Sequence, residues 1–272
     1  MTDLHVETQG SGAPLLLIHG WGMHGGMWGG VVAALAQDNC VHVVDLPGHG
    51  FSGKPEVESG KSERGTHLPL PTSLSPIDQI VAQLAAQFPE PLTVCGWSLG
   101  GQIALRWAAL HPQQIQRLVL ISSTPCFTQQ EDWTCAMAAD TLAGFAASLS
   151  ENYALTLRRF LALQVRGSDN ERELLANLRN ALFSRGEPEL AALQAGLDIL
   201  RDSDQRAVLA GIAQPTLVIA GERDTLTPLA ASEYLASTLP NARLAGIKGA
   251  AHAPFMSHPE HFIEQLKNFL HE

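Results

Sequence analysis

The sequence predicts an α/β protein with a mostly parallel central sheet flanked by helices. Short apolar runs recur at Leu15–Ile18, Val41–Val44, Leu92–Cys95, Leu118–Ile121 and Thr216–Ile219. Gly, Ser, Asp or Pro follows each run closely, and helical patterns such as Ile77–Phe88 and Ile103–His111 lie between them. Strands that alternate with helices build βαβ units. The chain has 272 residues and is 45% apolar and 16% charged, so it can bury a large core. Ligand chemistry in such sheets gathers at the C-terminal ends of the strands.

Each element then has its reading. Leu15–Ile18 is the first clear strand, and it runs into His19-Gly20-Trp21-Gly22. Val41–Val44 is a second, ending at Asp45. Residues 54–76 are rich in Pro, Gly, Ser and charge, and are expected to form a mobile loop. Leu92–Cys95 leads into Gly96-Trp97-Ser98-Leu99-Gly100-Gly101, where the next helical pattern opens. Residues 125–195 carry helical patterns and no convincing strand, so they read as a helical cap over the strand ends. The core is then 1–124 with 196–272. Thr216–Ile219 is the last clear strand and is followed by Gly221-Glu222-Arg223-Asp224. The apolar stretch 242–247 precedes a small-residue loop, Gly249-Ala250-Ala251-His252-Ala253-Pro254.

Several function classes are disfavoured. The net charge of -10 argues against a general binder of nucleic acid or anionic membrane. No apolar run approaches the ~20 residues that span a bilayer. The start, Met-Thr-Asp-Leu-His-Val-Glu, shows no basic and apolar leader pattern. Cys40, Cys95, Cys126 and Cys135 show no CxxC spacing. A reduced cytoplasm is the expected home. Metal catalysis lacks an H-E-x-x-H; His258 and His261 stand three apart, but Pro259 reads as a helix start.

The strongest chemical signal is the Gly-x-Ser-x-Gly of residues 96–100. After a strand and before a helix it fits a nucleophile elbow, a sharp turn that pushes the Ser98 oxygen into the open. The alternative is an ordinary glycine-rich turn. A nucleophilic serine needs a base, and the base needs an orienting acid. His252 and Asp224 follow in the order Ser, Asp, His. Singly, His252 could be a surface loop histidine and Asp224 a helix cap. The backbone N–H groups of Trp21 and Leu99 are the candidate oxyanion donors. The Trp21 ring walls a pocket or belongs to the core. One competing pattern overlaps this site. Gly20-Trp21-Gly22-Met23-His24-Gly25 matches G-x-G-x-x-G, and Asp45 lies 20 residues on, the outline of a dinucleotide fingerprint. Gly26, Gly29 and Gly30 prolong that loop where a helix should open, which weakens it.

Together these segments, with Asp45-Leu46-Pro47-Gly48-His49-Gly50-Phe51-Ser52, resemble the α/β-hydrolase family. The resemblance implies the α/β-hydrolase fold, with the cap inserted after the sixth strand. Within it, Ser122-Ser123-Thr124-Pro125-Cys126-Phe127, Leu142-Ala143-Gly144-Phe145, Arg159-Phe160-Leu161-Ala162-Leu163-Gln164 and His252-Ala253-Pro254-Phe255 resemble the pimeloyl-[acyl-carrier protein] methyl ester esterase family of biotin synthesis. That resemblance implies a serine carboxylesterase that uses Ser98, Asp224 and His252 and no metal or organic cofactor. It also implies a substrate site of Trp21, Ser98, Leu99, Phe160, Leu161, Ala162, Leu163, Gln164 and His252. Other members of the fold, general short-chain esterases or carbon–carbon bond hydrolases, share the triad. A member that binds a ligand without catalysis is a further alternative.

Charge distribution supports an acidic partner. Residues 155–186 hold six arginines, no lysine and three acids, a local charge of +3 against -13 for the remainder. Such a patch steers an acidic partner to one place. The family resemblance implies acyl-carrier protein bearing the methyl pimeloyl group, docked at Arg159 and Arg172. The patch could equally be a solvated helix face. The protein is expected to be a monomer that contacts neither nucleic acid nor membrane.

Overall fold

The structure is a computed structural model, which describes residues 4–52 and 74–272. Strand β1 (Val6–Gln9) is followed by β2 (Ala13–Ile18), a short 3-10 turn at Gly25–Trp28, helix α1 (Gly30–Leu35) and β3 (Asn39–Val44). Then come α2 (Pro76–Gln87), β4 (Leu92–Trp97), α3 (Leu99–Leu110) and β5 (Ile115–Ile121). Four helices stand next: α4 (Ala139–Glu151), α5 (Tyr153–Val165), α6 (Glu171–Leu182) and α7 (Leu190–Asp202). The chain closes with β6 (Thr216–Gly221), α8 (Leu229–Thr238), β7 (Ala242–Ile247), a single turn α9 (Pro254–Ser257) and α10 (Pro259–Leu270).

Among the described residues seven strands form one sheet in the order β1-β3-β2-β4-β5-β6-β7. Only β1 runs antiparallel, pairing Val6 with Val44. The five apolar runs of the sequence are β2 to β6, and the stretch 242–247 forms β7. Their composition explains their place. Leu15 to Ile18 are at most 1% exposed and all six residues of β4 are buried, as strands covered by helices on both faces must be. Each such aliphatic side chain withdrawn from water contributes about 1.5–3 kcal/mol. β1 gave no sequence signal because it lies at the sheet edge with three of its four residues exposed.

The helices begin and end where local chemistry directs. α2 starts with Pro76 behind Ser75, whose hydroxyl accepts from the Asp78 N–H, and it buries Ile77, Val81 and Leu84. α10 likewise starts at Pro259, as the sequence suggested for that residue, and turns Phe262, Leu266 and Phe269 inward. α3 is buried along most of its length and packs on β4 and β5.

Two expectations need adjustment. Among the described residues the helical insert α4–α7 leaves the sheet after the fifth strand, β5, where the sixth was expected. The boundary expected at residue 195 falls inside α7, which continues to Asp202 because Leu197, Ile199 and Leu200 carry its apolar face onward. Of the loop expected over 54–76, the last residues open α2, and 54–73 lie outside the described residues. Among the described residues no helix is long and apolar enough to cross a membrane.

Candidate active site

Ser98 stands between β4 and α3 with φ 56° and ψ -118°, a left-handed conformation that costs a non-glycine residue about 1–3 kcal/mol. The surrounding structure holds it there. The Ser98 N–H donates to the Ile121 carbonyl at 2.9 Å, and the Ser98 carbonyl accepts from the Ser123 hydroxyl at 2.8 Å. Two glycines make the turn sterically possible. A Cβ on Gly96 would lie 2.2 Å from the Gly100 oxygen, and one on Gly100 would lie 2.4 Å from the Ile18 oxygen. The glycine–serine pattern is thus a packing requirement of this sharp strand-to-helix turn.

His252 and Asp224 arrive from two later loops. Asp224 follows β6, and its Oδ1 accepts from the N–H groups of Leu226 at 2.8 Å and Thr227 at 3.0 Å. Its Oδ2 accepts from the Thr227 hydroxyl at 2.7 Å and lies 2.8 Å from His252 Nδ1. His252 Nε2 in turn stands 2.9 Å from Ser98 Oγ. All three residues are buried: Ser98 is 7% exposed, Asp224 6% and His252 1%. With Nδ1–H donating to the carboxylate, Nε2 is left as an acceptor facing the serine hydroxyl. That arrangement can take the serine proton during attack and stabilise the imidazolium that results.

The loop after β2 lies beside the serine: a Cβ on Gly20 would come within 3.2 Å of Ser98 Cβ. Met23 N–H donates to Gly20 O at 3.2 Å, closing a turn around Trp21. His19 anchors the loop. Its Nδ1 lies 2.8 Å from Gly20 O, and its Nε2 accepts from Leu46 N–H at 2.9 Å. Burial, with His49 adding to it, pushes His19 down to about 3, so the ring is neutral as that pattern demands. Leu99, the first residue of α3, has an N–H with no intrahelical acceptor by its position. The second expected oxyanion donor therefore sits at the N-terminal end of a helix, where partial positive charge collects.

The competing dinucleotide pattern dissolves in the same region. Asp45 is fully buried, and its carboxylate accepts from Gly25 N–H at 2.6 Å and Phe51 N–H at 2.9 Å and pairs with Arg185 at 3.2 Å. Burial raises that carboxyl, but these donors outweigh it and hold it below the usual range. The acid is committed to fixing the loop and has no reach for a ribose. No α-helix opens within the glycine run, where only the 3-10 turn Gly25–Trp28 stands; α1 begins at Gly30.

Beyond Trp21 lies a cavity of about 190 Å³. Trp21, Phe127, Leu142, Phe145, Phe160 and Leu163 are among its walls. The Trp21 ring is fixed by Nε1–H donation to Leu193 O at 2.9 Å and by edge-on contacts with Phe160 at 4.9 Å and Phe145 at 5.3 Å. The ring therefore walls a pocket and is buried as well. Of the expected substrate segment, Phe160 and Leu163 line this cavity. Leu161, Ala162 and Gln164 do not. Leu161 is turned fully inward, and the Gln164 carbonyl accepts from the His252 N–H at 3.0 Å. Ser98, Leu99 and His252 lie outside these walls.

The basic stretch divides. Arg159 and Arg172 are exposed, as are Arg158, Arg166 and Arg179. Arg185 is not part of that face: it reaches down to Asp45 and to Glu7 at 2.6 Å. Charge counted along the sequence could not show that direction. Two residues that hold the site went unnoticed in the sequence, Thr227 and Ser168, while Ser123 was quoted only within a family-like segment. Thr227, three residues after Asp224, is the one a local hydroxyl–carboxylate turn could have suggested.

A family model described as alpha/beta hydrolase fold matches residues 13–259. The chain belongs to the alpha/beta hydrolase fold family. Among relatives of this hydrolase, the pimeloyl-[acyl-carrier protein] methyl ester esterase of Nitrosomonas europaea is 43% identical over 97% of this chain and 98% of its own. Proteins of the same name from Chromobacterium violaceum and Xanthomonas campestris are 40% and 41% identical, each over 98% of both chains. Of the solved structures, an esterase from Exiguobacterium antarcticum superposes with a TM-score of 0.85 at 22% identity, over 100% of this chain and 96% of its own. An enol-lactonase from Burkholderia xenovorans gives 0.80 at 22%, over 100% and 97%. These likenesses establish the fold, while the sequence relatives bear on the chemistry.

Proposed function

We propose that the protein is a serine carboxylesterase that hydrolyses the methyl ester of pimeloyl-[acyl-carrier protein], releasing methanol in biotin biosynthesis. The observation that carries the chemistry is the unbroken line Ser98 Oγ, His252 Nε2, His252 Nδ1, Asp224 Oδ2, at 2.9 and 2.8 Å. The substrate follows from the relatives of that name at about 40% identity over nearly the whole chain.

Ser98 Oγ attacks the ester carbonyl while His252 takes its proton. The developing oxyanion lies against the N–H groups of Trp21 and Leu99. Collapse of the tetrahedral intermediate expels methanol, protonated by His252, and leaves an acyl group on Ser98. His252 then draws a proton from water, which attacks the acyl-enzyme and frees the carboxylate. Asp224 holds the imidazole tautomer throughout. The apolar cavity beside Trp21 and Phe160 suits the methylene chain, and the helices α4–α7 serve as its lid. The exposed arginines Arg159 and Arg172 offer the acidic carrier a docking face. No metal or organic cofactor enters, and the protein works as a cytoplasmic monomer.

The test is mass spectrometry of methyl-pimeloyl-acyl-carrier protein incubated with the wild-type protein and with Ser98→Ala. Loss of one methylene with the wild type alone, at a rate at least about 10⁴-fold above the variant, is expected. An intact substrate with small p-nitrophenyl esters still cleaved would move the protein to the general-esterase reading. Turnover retained in Ser98→Ala would refute the nucleophile.

A further inference from the structure

The loop that carries His252 has almost no side chains with which to hold itself. It reads Gly249-Ala250-Ala251-His252, and Gly249 is in a left-handed conformation at φ 80°. Its shape must come from backbone hydrogen bonds, and three of these are supplied by one distant turn. The end of α5 and the turn before α6, residues 164–169, meet the loop at three points. Asp169 N–H donates to Gly249 O at 3.0 Å. Ser168 Oγ accepts from Ala251 N–H at 3.1 Å. Gln164 O accepts from His252 N–H at 3.0 Å. The other side of His252 is held by the core, where Trp97 Nε1–H donates to His252 O at 2.8 Å.

The imidazole thus hangs from a residue whose backbone N–H is held by the helical insert and whose C=O is held by the sheet. Arg223 ties the same turn to the acid loop: its guanidinium donates to Gly167 O and Asp169 Oδ1, both at 2.9 Å. Arg223 N–H donates to Ala250 O, also at 2.9 Å. Of the three contacts from the insert to the His252 loop, only the one at Ser168 uses a side chain. Ser168 is buried, as is Ala251.

We infer that Ser168 is a positioning residue for the hydrolysis, fixing the Ala251–His252 backbone so that the imidazole stays in line between Asp224 and Ser98. The turn at residues 164–169 then serves the catalytic apparatus, while the rest of the insert serves as a lid. The role rests on the esterase reading above. Removing the hydroxyl leaves a buried N–H without a partner, and the loop must move or admit water to satisfy it. Displacements near 1 Å in a reacting constellation cost on the order of 10²-fold in rate.

The experiment compares Ser168→Ala, Ser168→Thr and Leu149→Ala, the last removing a buried α4 side chain away from the cavity walls and the loop. Hydrolysis of a short p-nitrophenyl ester and the labelling rate of Ser98 by a fluorophosphonate are followed at a temperature where all remain folded. Ser168→Ala is expected to lose about 10–100-fold in kcat and in labelling rate, with KM changed less than about two-fold. Ser168→Thr, which restores the hydroxyl, is expected to stay within about three-fold of the wild type, and Leu149→Ala to lose melting temperature while keeping kcat. Wild-type kcat in Ser168→Ala would overturn the inference. So would an equal loss in Ser168→Thr, or one matched by Leu149→Ala. A wild-type protein that neither labels nor hydrolyses esters would instead refute the esterase reading, and this inference with it.

Discussion

Replacing Gly100 by alanine tests whether the elbow is shaped by packing. In a solvent-exposed helix position glycine to alanine stabilises by roughly 0.5–1 kcal/mol, because the freer glycine backbone loses more on folding. Gly144 in α4 is such a position, with no atom within 4 Å of an added Cβ. Gly100 is the reverse case. Its Cβ would lie 2.4 Å from Ile18 O and 2.7 Å from His19 O, where ordinary contact begins at 3.4 Å. The backbone at the end of β2 must therefore retreat by about 1 Å. Overpacking against rigid groups costs about 1–3 kcal/mol. Less the helix gain, Gly100→Ala should lose up to about 2.5 kcal/mol, where Gly144→Ala gains about 0.5–1 kcal/mol. The same retreat moves His19 and the turn holding Trp21, so kcat should fall about 10²-fold. Urea midpoints at constant m give the stabilities, and p-nitrophenyl ester turnover gives kcat. A Gly100→Ala protein as stable as Gly144→Ala and fully active would refute the packing account of the motif.

Three other outcomes follow from the same geometry. His19 has a folded pKa of about 3 against the ordinary 6.5, so the unfolded chain binds the extra proton between these values. Its contribution is present above pH 6.5 and is lost as pH falls toward 3, by about 1 kcal/mol per unit below pH 6, with His24 and His49 acting in the same direction. Equal urea midpoints at pH 7 and pH 5 would contradict this. Thr227→Val keeps the shape but removes the hydroxyl that donates to Asp224 Oδ2, and should cost about 1.5–3 kcal/mol in chemical denaturation; no change would mean that the buried carboxylate is satisfied without it. Reversing Arg159 and Arg172 together to Glu should lower kcat/KM for a carrier-linked ester at least about ten-fold at low salt, spare small esters, and lose its effect as salt rises. Equal losses on both substrates would place the docking face elsewhere.

Much of this architecture was legible because apolar burial and glycine stereochemistry leave direct marks on a sequence. The strands β2 to β6 are buried on both faces, so each reads as an apolar run. The edge strand β1 is exposed at Glu7, Thr8 and Gln9 and leaves no such mark. The elbow is legible because only glycine fits at positions 96 and 100. Asp224 and His252 are legible from chain order after the elbow is placed, and from little else. The count of strands before the insert, by contrast, was carried by resemblance, and among the described residues the sheet has five there.

What stayed hidden has one physical cause: it depends on direction or on backbone atoms. Arg185 counts as positive charge in the segment 155–186, yet it points into the core and neutralises Asp45. The G-x-G-x-x-G pattern with its distant Asp looks alike whether the carboxylate faces a ribose or, as here, the Gly25 N–H of its own loop. The brace from residues 164–169 to the His252 loop joins positions 80 to 88 residues apart, and two of its three bonds are between main-chain atoms that every residue possesses. Such bonds constrain no side chain and so leave no motif. A sequence reading therefore finds the groups that perform the chemistry, which must be of a given type, sooner than the groups that aim them, which need only be in the right place.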